Sequence, residues 1–147
     1  MKANNLLLSG VLAISSMFAI NAHADNTTRV AATSALGSVV GTALGNQMGG
    51  NTGAMIGSAI GGAGGAAVAS NKRNRTESAI GGGLGGVGGY TVGKNMGGTS
   101  GGYIGSALGA AGGSALGNKI AKDRAEEKRY SNSRKWNRHS RYYRSHR

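Results

Sequence analysis

Residues 36–49 read "LGSVVGTALGNQMG", and a glycine stands at every fourth position: Gly37, Gly41, Gly45 and Gly49. The series runs on. Of the twenty-one positions spaced by four from residue 37 to residue 117, eighteen are glycine. They continue through Gly53, Gly57, Gly61 and Gly65, and resume at Gly81, Gly85, Gly89, Gly93, Gly97, Gly101, Gly105, Gly109, Gly113 and Gly117. The exceptions, Ala69, Arg73 and Glu77, are consecutive in the series. The residue before each series position is usually a large aliphatic, as at Leu36, Val40, Leu44, Ile56, Ile60, Leu84, Ile104 and Leu108. The unit is therefore aliphatic-Gly-x-x, with x mostly small.

Glycine-rich low complexity ordinarily means a flexible linker, but a linker has no reason to hold one phase for eighty residues. Residues four apart share a helix face, so the repeat draws a glycine groove beside an aliphatic ridge. Strands favour β-branched and aromatic residues and tolerate interior glycine poorly. A collagen-like period would be three. The pattern predicts helices, and eighteen helix-packing glycines.

The sequence also repeats at a shift of 48, which lays "MGGNTGAMIGSAIGGAGGAA" (48–67) over "MGGTSGGYIGSALGAAGGSA" (96–115). Within each copy, "GGNTG" (49–53) and "GGTSG" (97–101) have turn composition. An all-α chain of two tandem helical hairpins follows. Hairpin 1 falls within 25–70, with arms near 31–48 and 54–70. Hairpin 2 falls within 78–121, with arms near 78–96 and 102–121. A basic linker, "NKRNRTES" (71–78), joins them.

Each interior glycine costs roughly 1 kcal/mol of helix stability against alanine, so eight per hairpin cost on the order of 10 kcal/mol. A compensating environment is required. In a bilayer, unbonded peptide groups are so unfavourable that helix is nearly compulsory, and small residues spaced by four let two backbones touch. A tight oligomer in water is the other solution. Arms of 16–20 residues span about 24–30 Å, close to a hydrocarbon core. They hold no acidic residue, and Lys94 is their one charge before Lys119.

The termini point to the cell envelope. Lys2, the apolar run Leu6–Ile20 and "NAHA" (21–24) form a signal peptide over 1–24, leaving 123 of the 147 residues. No cysteine is present, so disulfides, thiol catalysis and a cysteine-linked lipid anchor are excluded. An even number of arms returns Asp25, the linker and the C-terminus to one side, the periplasmic one. Positive charge there conflicts with the positive-inside tendency of an inner membrane but not with an outer membrane.

From Asn118 to Arg147 eleven Lys and Arg face Asp123, Glu126 and Glu127. The stretch "NKIAKDRAEEKRY" can continue the last helix, with Lys122 and Glu126 at ion-pair spacing. The basic tail is 122–147 in all and partly disordered. There Lys135, Arg138, Arg141, Arg144 and Arg147 recur every three residues, which aligns them on an extended three-residue helix. Such an arm suits contact with an anionic surface, either lipid headgroups or envelope polymers. Nucleic acid fits an exported chain less well.

Two motifs are decoys. "GGYTVGKN" (88–95) approaches a phosphate-binding loop, but Asn95 replaces the metal-binding hydroxyl and no strand precedes it. "GGGLGG" (81–86) meets the GxGxxG pattern by glycine content alone. His139 and His146 lack a third ligand, so no metal or cofactor is expected. No nucleophile–base–acid set can be assembled, which argues against an enzyme.

At "ALGNQMGGNTGAMIGSAIGGAGGAA" (43–67) the chain resembles the glycine zipper families. It is most similar to the two-helix glycine zipper domain of small bacterial outer-membrane surface antigens and to the related YMGG type. The "LGNQMGG" turn and the GxxxG arms carry the resemblance over about 31–70, and more loosely over 78–121. It implies a membrane-associated helical hairpin in the cell envelope. Many relatives are lipoproteins, so without the cysteine anchoring falls to the hairpins. Three functions follow from these readings. The first is a structural, surface-antigen-like outer-membrane protein, membrane-bound or homo-oligomeric. The second is a secreted toxin- or bacteriocin-like pore former, whose Ser38, Thr42 and Asn46 line a channel. The third is a soluble periplasmic polyanion-binding protein.

Overall fold

The computed structural model describes the chain from residue 25 to residue 144, and its side chains as far as residue 134. The expected signal peptide (1–24) and Arg147 lie outside these residues. Two helices, α1 (Asn26–Ala69) and α2 (Arg75–Arg144), account for nearly all of the described chain, and there is no strand among the described residues. The fold is all-α.

Each helix is folded back on itself at a glycine pair. Gly49 (φ −144°, ψ 24°) and Gly50 (φ 55°, ψ −136°) break α1, and Gly97 (φ −137°, ψ 24°) and Gly98 (φ 60°, ψ −147°) break α2. Gly50 and Gly98 occupy the positive-φ half of backbone space, where a Cβ is strained and glycine is not. Four arms result: A (26–48), B (51–69), C (75–96) and D (99–144). The turns are tighter than their composition suggests, because "NTG" (51–53) and "TSG" (99–101) already belong to the following arms.

The connection between α1 and α2 is also short. Ser70 closes arm B by donating its N–H to the Ala66 carbonyl at 3.0 Å. Arg75 Nε donates to the Ala67 carbonyl at 2.9 Å, satisfying another acceptor that a helix end leaves open. Helix resumes at Arg75, so half of the expected linker belongs to arm C. Arm D runs unbroken to Arg144, where the sequence reading has a partly disordered tail. After Gly117 there is neither glycine nor proline, and "IAKDRAEEKR" is built from good helix formers. Lys122 does not pair with Glu126. It reaches instead to Asp25, 3.9 Å away, and donates to Thr27 Oγ1 at 3.0 Å.

The arms pack as an antiparallel four-helix bundle in the order A–B–C–D, with D closing against A. Within hairpin 1, Gly37 faces Gly61, Gly41 faces Gly57 and Gly45 faces Gly53. Within hairpin 2, Gly81 faces Gly113, Gly85 faces Gly109, Gly89 faces Gly105 and Gly93 faces Gly101. Between hairpins, Gly62 lies against Gly82, and Gly86 against Ser58. Ser34 of arm A bonds the Ala110 carbonyl of arm D.

Candidate functional site

The four residues of the repeat point four ways. The glycine meets the other arm of its own hairpin. The residue after it turns to the bundle axis, and these are the buried ones: Ser38, Thr42, Ala54, Ser58, Gly62 and Ala66 in α1, and Ser78, Tyr90, Ser106, Ala110, Ser114 and Asn118 in α2. The fourth residue faces the other hairpin, as where Gly83 approaches Ala59 and Ala63. The aliphatic residue before the glycine is left outside.

At sixteen of the eighteen series glycines, a Cβ would overlap a backbone carbonyl of the facing arm, closer than any real side chain comes. Gly117 and Gly65 meet the carbonyls of Glu77 and Thr33, and the other fourteen meet a glycine carbonyl. Gly49 and Gly97 depart from the expected packing: each has open space where a Cβ would go. They lie in the turns, beyond the last point of contact between arms, and make no helix packing.

The axis is filled with small polar residues. Ser34 Oγ sits 2.8 Å from the Gly62 carbonyl and 3.1 Å from that of Ala110, so its proton is shared between arms B and D. Ser38 Oγ donates to the Ser106 carbonyl at 3.1 Å. Thr42 Oγ1 donates to the Ser38 carbonyl at 2.6 Å and lies 3.2 Å from the Ser106 hydroxyl. Ser58, Ser106 and Ser114 each return a bond to a carbonyl one turn back on their own arm. Every buried hydroxyl is thus satisfied within protein, as a dry interior demands. Ser38 and Thr42 are fully buried. They close the axis and do not line an open channel, which is what the pore reading requires of them. Asn46, one turn further, is half-buried at the mouth.

Tyr90 is the single large side chain on the axis and is 1% exposed. Gly102 faces its ring, where a Cβ would come within 2.7 Å of the ring carbon Cε2. Its hydroxyl reaches 3.5 Å to Asn51 at the turn end of the bundle. The other end is polar. Asn74 Nδ2 donates to Asn118 Oδ1, and Asn118 Nδ2 donates to Thr27 Oγ1, both at 3.0 Å. The Ser70 and Ser78 hydroxyls share a bond. The Asp25 carboxyl is held below its ordinary value, first by the Asn26 backbone N–H, then by Lys122 and the Thr27 N–H.

The exterior is apolar. Met48 is 89% exposed, Val68 79%, Leu84 71% and Leu108 70%, with Val40, Leu44, Ile56, Ile60, Ile80, Val92, Ile104 and Leu116 also at the surface. The large side chains that would make a water-soluble core face outward, and the hydroxyls face in. Of the two helices, only α1 is long and apolar enough, by length and composition, to cross a membrane, and it is folded into a hairpin.

Residues 34–76 match the family model described as glycine zipper, of the outer-membrane-protein type. This segment is a glycine zipper. The match covers arm B, most of arm A and the connection. Hairpin 2 repeats the zipper geometry outside the matched span. No curated protein and no solved structure matches the chain.

The decoy motifs are absorbed by the zipper, since residues 81–86 and 88–95 are continuous helix in arm C. Lys135, Arg138, Arg141 and Arg144 lie on the C-terminal part of arm D, which is α-helical and not the extended three-residue helix. A spacing of three does not close on 3.6 residues per turn, so these positions drift around the helix. Sequence reasoning missed the axis residues Ser34, Ser58, Ser106, Ser114 and Asn118. Their signal was available: each follows a series position or its equivalent by one.

Proposed function

We propose that the mature chain is a non-enzymatic structural protein of the cell envelope, embedded in the outer membrane as a bundle of two glycine-zipper hairpins. The observation that carries this reading is the inverted distribution of side chains. A ring of exposed aliphatics surrounds an axis of hydrogen-bonded Ser, Thr and Asn. In water that surface would drive aggregation, whereas lipid tails cover it and leave dispersion and interhelical hydrogen bonds to hold the arms.

The dimensions agree. The polar end around Asn26, Ser70, Asn74 and Asn118 and the mouth at Asn46 and Lys94 are separated by twenty positions along arms A and C. That is about 30 Å at 1.5 Å per residue, the thickness of a hydrocarbon core. The C-terminal extension, including Lys135, Arg138, Arg141, Arg144 and Arg147, then lies on the side of Asp25 and contacts anionic headgroups of the periplasmic leaflet. Self-association through the aliphatic faces is compatible with this placement.

Envelope fractionation of the processed protein tests it. The protein should stay in the membrane pellet through both high salt and alkaline carbonate. Release by salt would make it a peripheral polyanion binder, and release by carbonate as a large particle would make it a soluble assembly. Either result overturns the reading.

A further inference from the structure

On the outside of hairpin 2, arms C and D leave a groove of about 580 Å³. Its floor is the glycine contact at Gly81, Gly85, Gly113 and Gly117, and its walls are Ile80, Leu84, Leu116 and Ile120. It runs about 12 Å along arm C at 1.5 Å per residue. At its polar end, across Glu77 and Arg124, it continues into a second cleft of about 450 Å³. That cleft holds Arg73, Arg124, Lys128 and Arg129 against the single carboxylate of Glu77. None of these four cations lies within ion-pair distance of a carboxylate among the described residues, where the one pair is Lys122 with Asp25.

We propose that this composite site binds one anionic glycerophospholipid. An acyl chain lies in the glycine-floored groove, and the phosphate is held by Arg124, Lys128 and their neighbours. The inference rests on the membrane placement above, and deepens it by naming a lipid. Three observations select this occupant. The apolar groove and the basic cleft share two residues, so a ligand filling both is a chain ending in an anion. The cleft sits one turn beyond Ile80 and Ile120, at the headgroup level of a bundle whose apolar band ends there. Guanidinium groups pair phosphate oxygens with two donors at once, and basic pockets at the ends of spanning helices suit phospholipid heads.

Hairpin 1 lacks the site. Its arm B stops at Ala69, so no helix carries cations past the groove, and the counterpart of Ile80 is Ala32. The 48-residue repeat is therefore functionally asymmetric: both copies build the zipper, and only the second has a headgroup clamp.

The test uses the full mature chain in phosphatidylcholine nanodiscs with or without phosphatidylglycerol, followed by native mass spectrometry of the detergent-released protein. The chain should retain one phosphatidylglycerol in preference to phosphatidylcholine. The R124Q/K128Q variant should lose that preference by about tenfold or more, the scale of one charge-assisted hydrogen bond. R73Q/R129Q should lose it from the other side of the cleft. The variant R29Q/R134Q removes the same charge at exposed positions outside the cleft and should keep it. The proposal is overturned if the cleft variants retain lipid like the parent, or if the control loses it equally, which would make the attraction diffuse. An inserted chain with no lipid preference defeats this inference alone. A chain that never inserts defeats the membrane placement as well.

Discussion

Glycine does two opposite things in this protein, and position decides which. At Gly41 a methyl group would overlap the Gly57 carbonyl, so Gly41→Ala has to push two backbones apart. The helix-propensity gain of about 1 kcal/mol is smaller than the loss of close packing, and a net destabilisation of about 1–3 kcal/mol is expected. Gly64 and Gly112 are helical, exposed and have nothing within 4 Å of a Cβ. Alanine there should stabilise by about 0.5–1 kcal/mol. Chemical denaturation of the three variants in one detergent gives the comparison. Equal behaviour of Gly41→Ala and Gly64→Ala would refute the zipper contact.

At the scale of elements, the arms are held in register by polar bonds near the ends and by backbone contact between them. Asn118 joins arm D to arm A and to the connection before arm C by accepting from Asn74 and donating to Thr27. Asn118→Ala leaves the buried Asn74 amide without its acceptor, for an expected loss of about 1–3 kcal/mol, whereas Asn118→Asp keeps the acceptor and should lose less at a pH where it is protonated. Unfolding midpoints of the two variants separate these outcomes. Asp25 ties the start of arm A to arm D through Lys122. Its carboxyl is lowered in the fold, so the contribution is present above the ordinary carboxylate range and is lost as pH falls through the lowered value. The Asn26 and Thr27 amide resonances should shift with that acid titration, and D25N should abolish the shift.

At the scale of the whole molecule, the question is which solvent surrounds the bundle. Ile60 lies midway along the aliphatic band and is 69% exposed. In water, Ile60→Lys is a surface change worth little, within about 0.5 kcal/mol. At the centre of a bilayer the same lysine costs about 2.5–3.5 kcal/mol. Membrane-inserted yield of I60K should therefore fall sharply, while Lys substituted for Met48 at the rim is tolerated. Unchanged insertion of I60K would argue for a soluble assembly.

The four-residue period determined by itself that the chain is helical and that glycines form a stripe, and the 48-residue repeat that two copies of one unit follow each other. A period places residues on faces relative to one another, and no more is contained in it. Which of the three remaining faces is covered depends on what a hairpin packs against, and that was decided only when the two hairpins closed on each other. Their closure turned Ser34, Ser38, Ser58 and Ser106 inward, with Ser34 and Ser38 bonding carbonyls of arm D, and left Leu84, Leu108 and Ile60 outside. Within hairpin 2, the folding of arm D back on arm C set Arg124 beside Glu77, forty-seven residues apart in the chain. The physical reason is common to both: an arm's own hydrogen bonds are local, whereas burial belongs to a surface only after another surface has met it.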